Sequence, residues 1–366
     1  MLFTPGPLGP LTLPNRLIRS ATAEKMALPD GSPKPDLEAL YRELVRGGVG
    51  LIISGHMYVS EEGKCHPEMT GIHCDDLIPD LQQLTEAVHQ EGGKIAVQIN
   101  HGGGNCAPET VADPVAPSAE PGEIFKHPAR KITEEEIQQV ISDFRKAAQR
   151  GAAAGFDAVQ IHSAHGYLLS QFLSPLTNQR EDDWGGTLEK RSRLLRQVCQ
   201  HTRDQVGPDY PLLVKFGIAD GKAGGLTLED GLQLVERMAA WGVDGIEISS
   251  GFSGDDFRSI QKGVRSADQE AYFLPFVQQA RMVTDLPLLA VGGFRSRKVM
   301  EQALLSGAAD FISLSRPLIR EPNLPVLFKK GEKERSSCLS ANNCWPENAE
   351  EGISCKCPPL SEEESS

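Results

Sequence analysis

Apolar positions along this chain fall into two alternating rhythms. Short unbroken runs recur at Arg16–Arg19, Leu51–Ser54, Lys94–Gln98, Ala158–His162, Leu212–Phe216, Gly245–Ser249, Pro287–Val291 and Phe311–Ser315. Continuous runs, rather than strict alternation with polar residues, suit parallel strands buried on both faces. The segments between them carry a helical period. Thr133-Glu134-Glu135-Glu136 reads as a capping box, and Ile137, Val140, Ile141, Phe144 and Ala148 follow on one face. Thr227 opens a second clear case, with Leu228, Leu232, Val235 and Met238 in register. Eight strand–helix pairs with no break in composition predict an α/β fold, a single (β/α)₈ TIM barrel.

The competing arrangement, a doubly wound sheet, would place a glycine-rich dinucleotide fingerprint after its first strand. The nearest match, Gly102-Gly103-Gly104 with Ala107, is followed by Pro108 and Pro114 and opens no helix. Gly102–Lys131 therefore reads as a long, proline-rich loop insertion after strand 3, of the kind that builds the active face of a barrel. The pattern divides the chain into a barrel over residues 1–332 and an acidic, cysteine-containing, largely irregular C-terminal tail over 333–366. Glu362-Glu363-Glu364 is expected to be its solvated, disordered end.

Composition narrows the partners. The chain has 366 residues and a formal net charge of −13, which argues against nucleic acid and anionic membranes. Its longest apolar runs are too short to span a bilayer, and Met1–Pro7 shows no signal-peptide pattern. Cys65, Cys74, Cys106 and Cys199 are scattered like reduced thiols. A cytoplasmic enzyme acting on small molecules is expected, and a homo-oligomer is compatible with it.

Candidate chemistry lies where the strands end. Those ends read Ser20-Ala21-Thr22-Ala23, Gly55-His56, Gln98, His162, Lys215, Gly251, Gly292-Gly293 and Ser315-Arg316. Glycines after strand seven expose backbone N–H groups and Arg316 can grip an oxyanion, so this pair of ends reads as a phosphate site rather than a turn and a surface ion pair. His162-Ser163-Ala164-His165-Gly166-Tyr167 gathers two imidazoles and a phenol within one turn. A zinc site would need a third ligand at a convincing spacing, and a buried structural histidine would not need the other two groups. Paired imidazole donors suit a carbonyl or phenolate oxygen, and Tyr167 can supply a proton.

These motifs, with Leu2-Phe3-Thr4-Pro5, Pro14-Asn15-Arg16, Gln98–Gly102, Ala116-Pro117-Ser118, Phe172–Pro175, Trp184-Gly185-Gly186 and Ser315–Leu318, resemble the Old Yellow Enzyme family of FMN-dependent ene-reductases over roughly residues 2–330. The resemblance implies FMN as cofactor, NAD(P)H as hydride donor and activated alkenes, such as α,β-unsaturated carbonyl compounds, as substrates. It implies that Ser20, Ala21, Thr22, Ala23, Gly55 and His56 lie along the flavin and that Gln98 meets its pyrimidine edge. Lys215 would stand where many relatives have Arg, and Gly292, Gly293, Ser315 and Arg316 would hold the phosphate. His162 and His165 would bind the substrate oxygen, Tyr167 would be the proton donor, and Lys25 would reach the substrate. Larger family members carry an iron–sulfur cluster near the C-terminus. Here Cys338, Cys344 and Cys355 match three ligands, Ala341 replaces the fourth, and Cys357 gives poor spacing. No metal is expected, and a chain cut after Lys330 is expected to keep its FMN. Two rival readings are a non-redox phosphate-binding barrel enzyme and a flavoprotein without ene-reductase turnover.

Overall fold

The computed structural model describes residues 1–119, 124–125, 127–346 and 351–358. Its strands are β1 (Gly6–Leu8), β2 (Leu11–Leu13), β3 (Leu17–Arg19), β4 (Leu51–Tyr58), β5 (Ile95–Asn100), β6 (Val115–Ala116), β7 (Arg130–Lys131), β8 (Ala158–Ser163), β9 (Leu212–Gly217), β10 (Gly245–Ser249), β11 (Leu288–Val291) and β12 (Phe311–Leu314). Eight of them, in the order β10-β11-β12-β3-β4-β5-β8-β9, close into a barrel through parallel pairs. The predicted (β/α)₈ barrel is what the chain forms, and all eight expected runs supply its staves. Both faces of these strands are buried, which is why their sequences are apolar without alternation.

The helices form the outer ring. Glu134–Ala153 starts at the expected capping box: Thr133 Oγ1 accepts from the Glu136 N–H at 3.2 Å, and Glu136 Oε2 accepts from the Thr133 N–H at 2.8 Å. Thr227 caps Leu228–Met238 in the same way, accepting from the Asp230 N–H at 3.1 Å. Their apolar faces, Ile137, Ile141 and Phe144 in the first and Leu234 and Val235 in the second, pack into the layer between sheet and ring.

Two features were not anticipated. The antiparallel hairpin β1–β2 places Leu8 and Leu13 against Ile18, Leu51, Ala96, Leu213 and Phe311, closing the N-terminal end of the barrel. The register between β4 and β5 slips between Ile53 and His56, a bulge that carries β4 on to Tyr58, beyond the expected end at Ser54.

The C-terminal segment differs from a solvated appendage. It has almost no regular structure, but its described part folds back over the C-terminal end of the barrel. The Ser336 N–H donates to the Arg295 carbonyl at 2.9 Å, Arg295 Nη2 donates to the Ser336 carbonyl at 2.9 Å, and the Ile353 N–H donates to the Glu24 carbonyl at 2.9 Å. The acidic end Glu362-Glu363-Glu364 lies outside the described residues. Among the described residues no helix is long and apolar enough to cross a membrane.

Candidate active site

The C-terminal strand ends surround a cavity of about 750 Å³. Of the expected site residues, Ser20, Ala21, Thr22, Ala23, His56, Gln98, His162, His165, Tyr167, Lys215, Gly292, Gly293, Ser315 and Arg316 all line it. Gly55 and Lys25 do not. Gly55 sits at the β4 bulge, where its N–H donates to Glu24 Oε1 at 3.1 Å and a Cβ would fall 1.8 Å from Glu24 Oε2. Glycine is needed there for close approach to a buried carboxylate. Lys25 turns aside, its Nζ 4.0 Å from Glu68.

One wall is aromatic. The His162 ring lies 5.0 Å from His165 and 4.9 Å from Tyr167, and the His56 ring lies 5.1 Å from Tyr167. β8 delivers His162, and the turn that follows delivers the other two. The Ala164 N–H donates to His162 Nδ1 at 3.2 Å. A neutral imidazole accepting at Nδ1 carries its proton on Nε2, which leaves that nitrogen as a donor. His165 adopts φ 58°, a left-handed conformation that costs a non-glycine residue energy. It is held there by its N–H to the Ser250 carbonyl at 3.0 Å and its Nε2 against Ser249 Oγ at 2.8 Å.

Burial dominates the electrostatics of this wall. It pushes His162 well below the ordinary histidine range, with the neighbouring His165, His56 and Lys215 adding to the effect. Burial, with Lys215 and His56 nearby, lowers His165 to about 3. Burial also raises the Tyr167 phenol, and Cys65 and Cys106 raise it further. At neutral pH the wall therefore presents uncharged imidazole donors and a protonated phenol.

The floor is polar. Lys215 Nζ donates to Ser20 Oγ at 2.8 Å and lies 3.3 Å from Glu247 Oε1. Gln98 Nε2 donates to Gln160 Oε1 at 2.6 Å, which leaves its own carbonyl oxygen to accept from another donor. At the far end Gly292 and Gly293 have φ of 114° and 77°, and a Cβ on either would strike the Tyr272 ring at 2.8–2.9 Å. Thr22 Oγ1 and Ser315 Oγ are 2.8 Å apart, and Arg316 Nη1 donates to the Gln261 carbonyl at 2.7 Å, to the Ser340 carbonyl and to Asn342 Oδ1.

Sequence reasoning missed Tyr272, Ser249 and Arg258, and the tail residues Asn342, Cys344, Trp345 and Ile353, all of which line the cavity. Cys344 stood out only as a match to a cluster ligand, and Asn342, Trp345 and Ile353 carried no local signal, since only tertiary folding brings them to the mouth. Among the described residues no three metal-ligating side chains converge, at Cys338–Cys357 or elsewhere.

The cavity suits a flavin mononucleotide. Its length runs from the aromatic wall to the glycine pair, Lys215 and Gln98 offer a cation and an acceptor along its floor, and Gly292, Gly293 and Arg316 line its far end, where the Tyr272 ring leaves no room for a Cβ on either glycine. Comparisons with known proteins point the same way. Residues 1–335 match the model of the NADH:flavin oxidoreductase / NADH oxidase family. The chain is 33% identical to an NADH oxidase of Thermoanaerobacter brockii over 93% of its own length and 52% of the relative's. It is 34% identical to an NADPH dehydrogenase of Bacillus subtilis over 88% of its own length and 92% of the relative's. The old yellow enzyme homologue of Zymomonas mobilis superposes with a TM-score of 0.78 at 29% identity, covering 92% of this chain and 94% of that one. The chain thus spans about half the length of the first relative and nearly all of the other two.

Proposed function

From the chain's membership of the NADH:flavin oxidoreductase / NADH oxidase family, that of Old Yellow Enzyme, with FMN as cofactor and NAD(P)H as hydride donor, we propose that it is an ene-reductase acting on the C=C bond of α,β-unsaturated carbonyl compounds. Family membership removes the non-redox phosphate enzyme from consideration. Bound in this cavity, FMN would supply the redox chemistry, relaying hydride from NAD(P)H to the alkene.

The chain's own residues do the rest. Ser20, Thr22, Gln98 and Lys215 hold the ring, and Gly292, Gly293, Ser315 and Arg316 hold the phosphate. The His162 Nε2–H and His165 take the substrate's carbonyl oxygen, stabilising the negative charge that grows there as the alkene accepts hydride. Tyr167 donates a proton to the α-carbon. The buried wall excludes water and fixes the geometry of approach. The observation that carries this reading is the convergence of two neutral imidazoles and a protonated phenol, with ring centres about 5 Å apart, on one wall of the cavity.

The two half-reactions separate the roles. Reduction of the flavin by a nicotinamide needs no proton from Tyr167, whereas alkene reduction does. Tyr167→Phe is expected to leave flavin reduction nearly unchanged and to slow reoxidation by cyclohexenone about 10²–10⁴-fold. Stopped-flow absorbance on each half measures both rates. Equal losses in both would make Tyr167 structural and end its assignment as the proton donor.

A further inference from the structure

The interior of a (β/α)₈ barrel is ordinarily filled with layers of branched apolar side chains. One layer of this barrel is not. Glu247 on β10 is 0% exposed, and Gln160 on β8 is likewise 0% exposed. Neither touches the cavity, but each is paired in register with a residue that does: Glu247 with Lys215 across β10–β9, and Gln160 with Gln98 across β8–β5.

The Glu247 carboxylate is fully engaged. Its Oε1 accepts from Ser20 Oγ at 2.6 Å and lies 3.3 Å from Lys215 Nζ, and its Oε2 accepts from Gln160 Nε2 at 3.1 Å. Gln160 passes the constraint on, accepting from Gln98 Nε2 at 2.6 Å. One carboxylate thus orders three polar groups along the cavity floor: Ser20, Lys215 and, through Gln160, Gln98. A carboxylate buried so completely is costly to desolvate even when paired, and apolar residues in place of the whole Glu247–Lys215 pair would often be neutral or stabilising. Net stability gives little reason to place a charged pair here.

Its consequence for the cavity is electrostatic. Alone, Lys215 would be a point charge free to lean toward the ligand. With Glu247 at 3.3 Å and Ser20 at 2.8 Å, the ammonium is held back and its field is opposed by a negative charge in a medium of low dielectric, where such interactions are strong. A cation beside a flavin favours the reduced ring, which carries more negative charge, and an anion behind that cation cancels the preference.

We propose that Glu247 is a positioning residue that sets the reduction potential of the bound flavin through Lys215, holding it lower than the lysine alone would. The proposal rests on FMN lying along Lys215, as the functional reading has it. Lys215 and Glu247 act as one neutral unit, and the flavin is thereby a stronger hydride donor toward an alkene.

The test compares the wild-type holoprotein with Glu247→Gln and Glu247→Asp. For each, the FMN content is measured first, and the reduction equilibrium is then read anaerobically against a reference dye. Glu247→Gln keeps the shape and hydrogen-bonding reach of the side chain while removing its charge. It is expected to shift the equilibrium toward reduced flavin by about tenfold or more, which is about 30 mV for a two-electron couple. Glu247→Asp draws the carboxylate back by one methylene and is expected to shift it in the same direction by about two- to threefold, and it decides the question if the Gln variant does not retain FMN. A merely structural role would weaken FMN binding without favouring one redox state. An FMN-loaded variant whose equilibrium is unchanged, or is displaced toward oxidised flavin, overturns the proposal. Wild-type protein that binds no FMN would instead overturn the flavin assignment beneath it.

Discussion

Four imidazoles on or beside one cavity wall sit below the ordinary histidine range, and burial is the first cause for each. His56 and His165 fall to about 3, His66 falls to about 4, and His162 lies well below its usual value. The sign of the resulting pH dependence follows. A histidine whose folded pKa is depressed contributes stability that is present above its unfolded value of about 6.5 and is lost as pH falls toward the folded value. For His56 and His165 that window runs from about 6.5 down to about 3. By pH 5 each removes roughly 2 kcal/mol of stability. Urea unfolding should therefore show a midpoint markedly lower at pH 5 than at pH 7.5. Affinity for a para-substituted phenol, taken up as its phenolate by neutral donors, should rise between pH 6 and pH 8 only as the free phenol ionises, with no inflection from a histidine. A midpoint that does not fall in acid would mean that these imidazoles charge freely within the fold. Position at a strand end made His162 and Lys215 legible in the sequence, because a polar residue finishing an apolar run invites a functional reading. Glu247 interrupts its run in the same way, but it points one layer deeper, and nothing local separates a floor residue from the residue beneath it. Gly55 shows the converse. A glycine after a strand looks like an approach to a ligand, and here the approach is to Glu24.

Among the elements, the barrel strands were legible because burial on both faces leaves one simple pattern. The hairpin β1–β2 was not, since Gly6, Pro7, Gly9 and Pro10 punctuate it as heavily as a loop. The insertion after β5 was recognised by length, but its anchoring was not readable. It is clasped to the loop after β4: the Gly102 N–H donates to the Gly63 carbonyl at 2.9 Å, and the Ala107 N–H donates to the Cys65 carbonyl at 3.0 Å. The side chains beneath the clasp are two thiols. A Cβ on Gly102 would stand 2.6 Å from Cys106 Sγ and 2.7 Å from Cys65 Sγ, and Cys65 packs beside Tyr167. Gly102→Ala is therefore an overpacking substitution at a buried site, expected to cost about 1–3 kcal/mol. Thermal unfolding measures the loss, and hydrogen exchange should localise it to residues 59–77 and 101–119. Full stability in this variant would mean that the two sulfurs swing aside and that the clasp is loose.

At the scale of the whole molecule, the boundary drawn at residue 332 separates a barrel from a segment that the barrel's own cavity uses. Composition suggested a dispensable tail, because an irregular stretch with cysteines and no helical period carries no sign of what it packs against. Besides the bonds to Arg295 and Glu24, the structure supplies three further anchors. Glu321 Oε2 accepts from Ser336 Oγ at 2.6 Å and from the Ser337 N–H at 2.7 Å, Arg320 reaches Cys355 Sγ at 3.1 Å and the Cys357 carbonyl at 3.0 Å, and Arg316 is held by the Ser340 carbonyl and Asn342. The last anchor bears on the cofactor. On the proposed reading Arg316 holds the FMN phosphate, and a guanidinium grips an anion best when its fork is fixed in advance. Asn342, Cys344, Trp345 and Ile353 also supply part of the cavity's lining. A chain ending at Lys330 should consequently fold, since the barrel's core cluster lies within residues 2–328, yet bind FMN at least about tenfold more weakly, the equivalent of one well-placed interaction of roughly 1.4 kcal/mol. Fluorescence titration of FMN into the truncated apoprotein gives the affinity, and circular dichroism establishes that the barrel is intact. Asn342→Ala in the full chain isolates the Arg316 anchor and should account for a few-fold of the loss, leaving the remainder to the missing wall. If the truncated barrel binds FMN as tightly as the full chain, the segment only covers the cavity and takes no part in holding the cofactor.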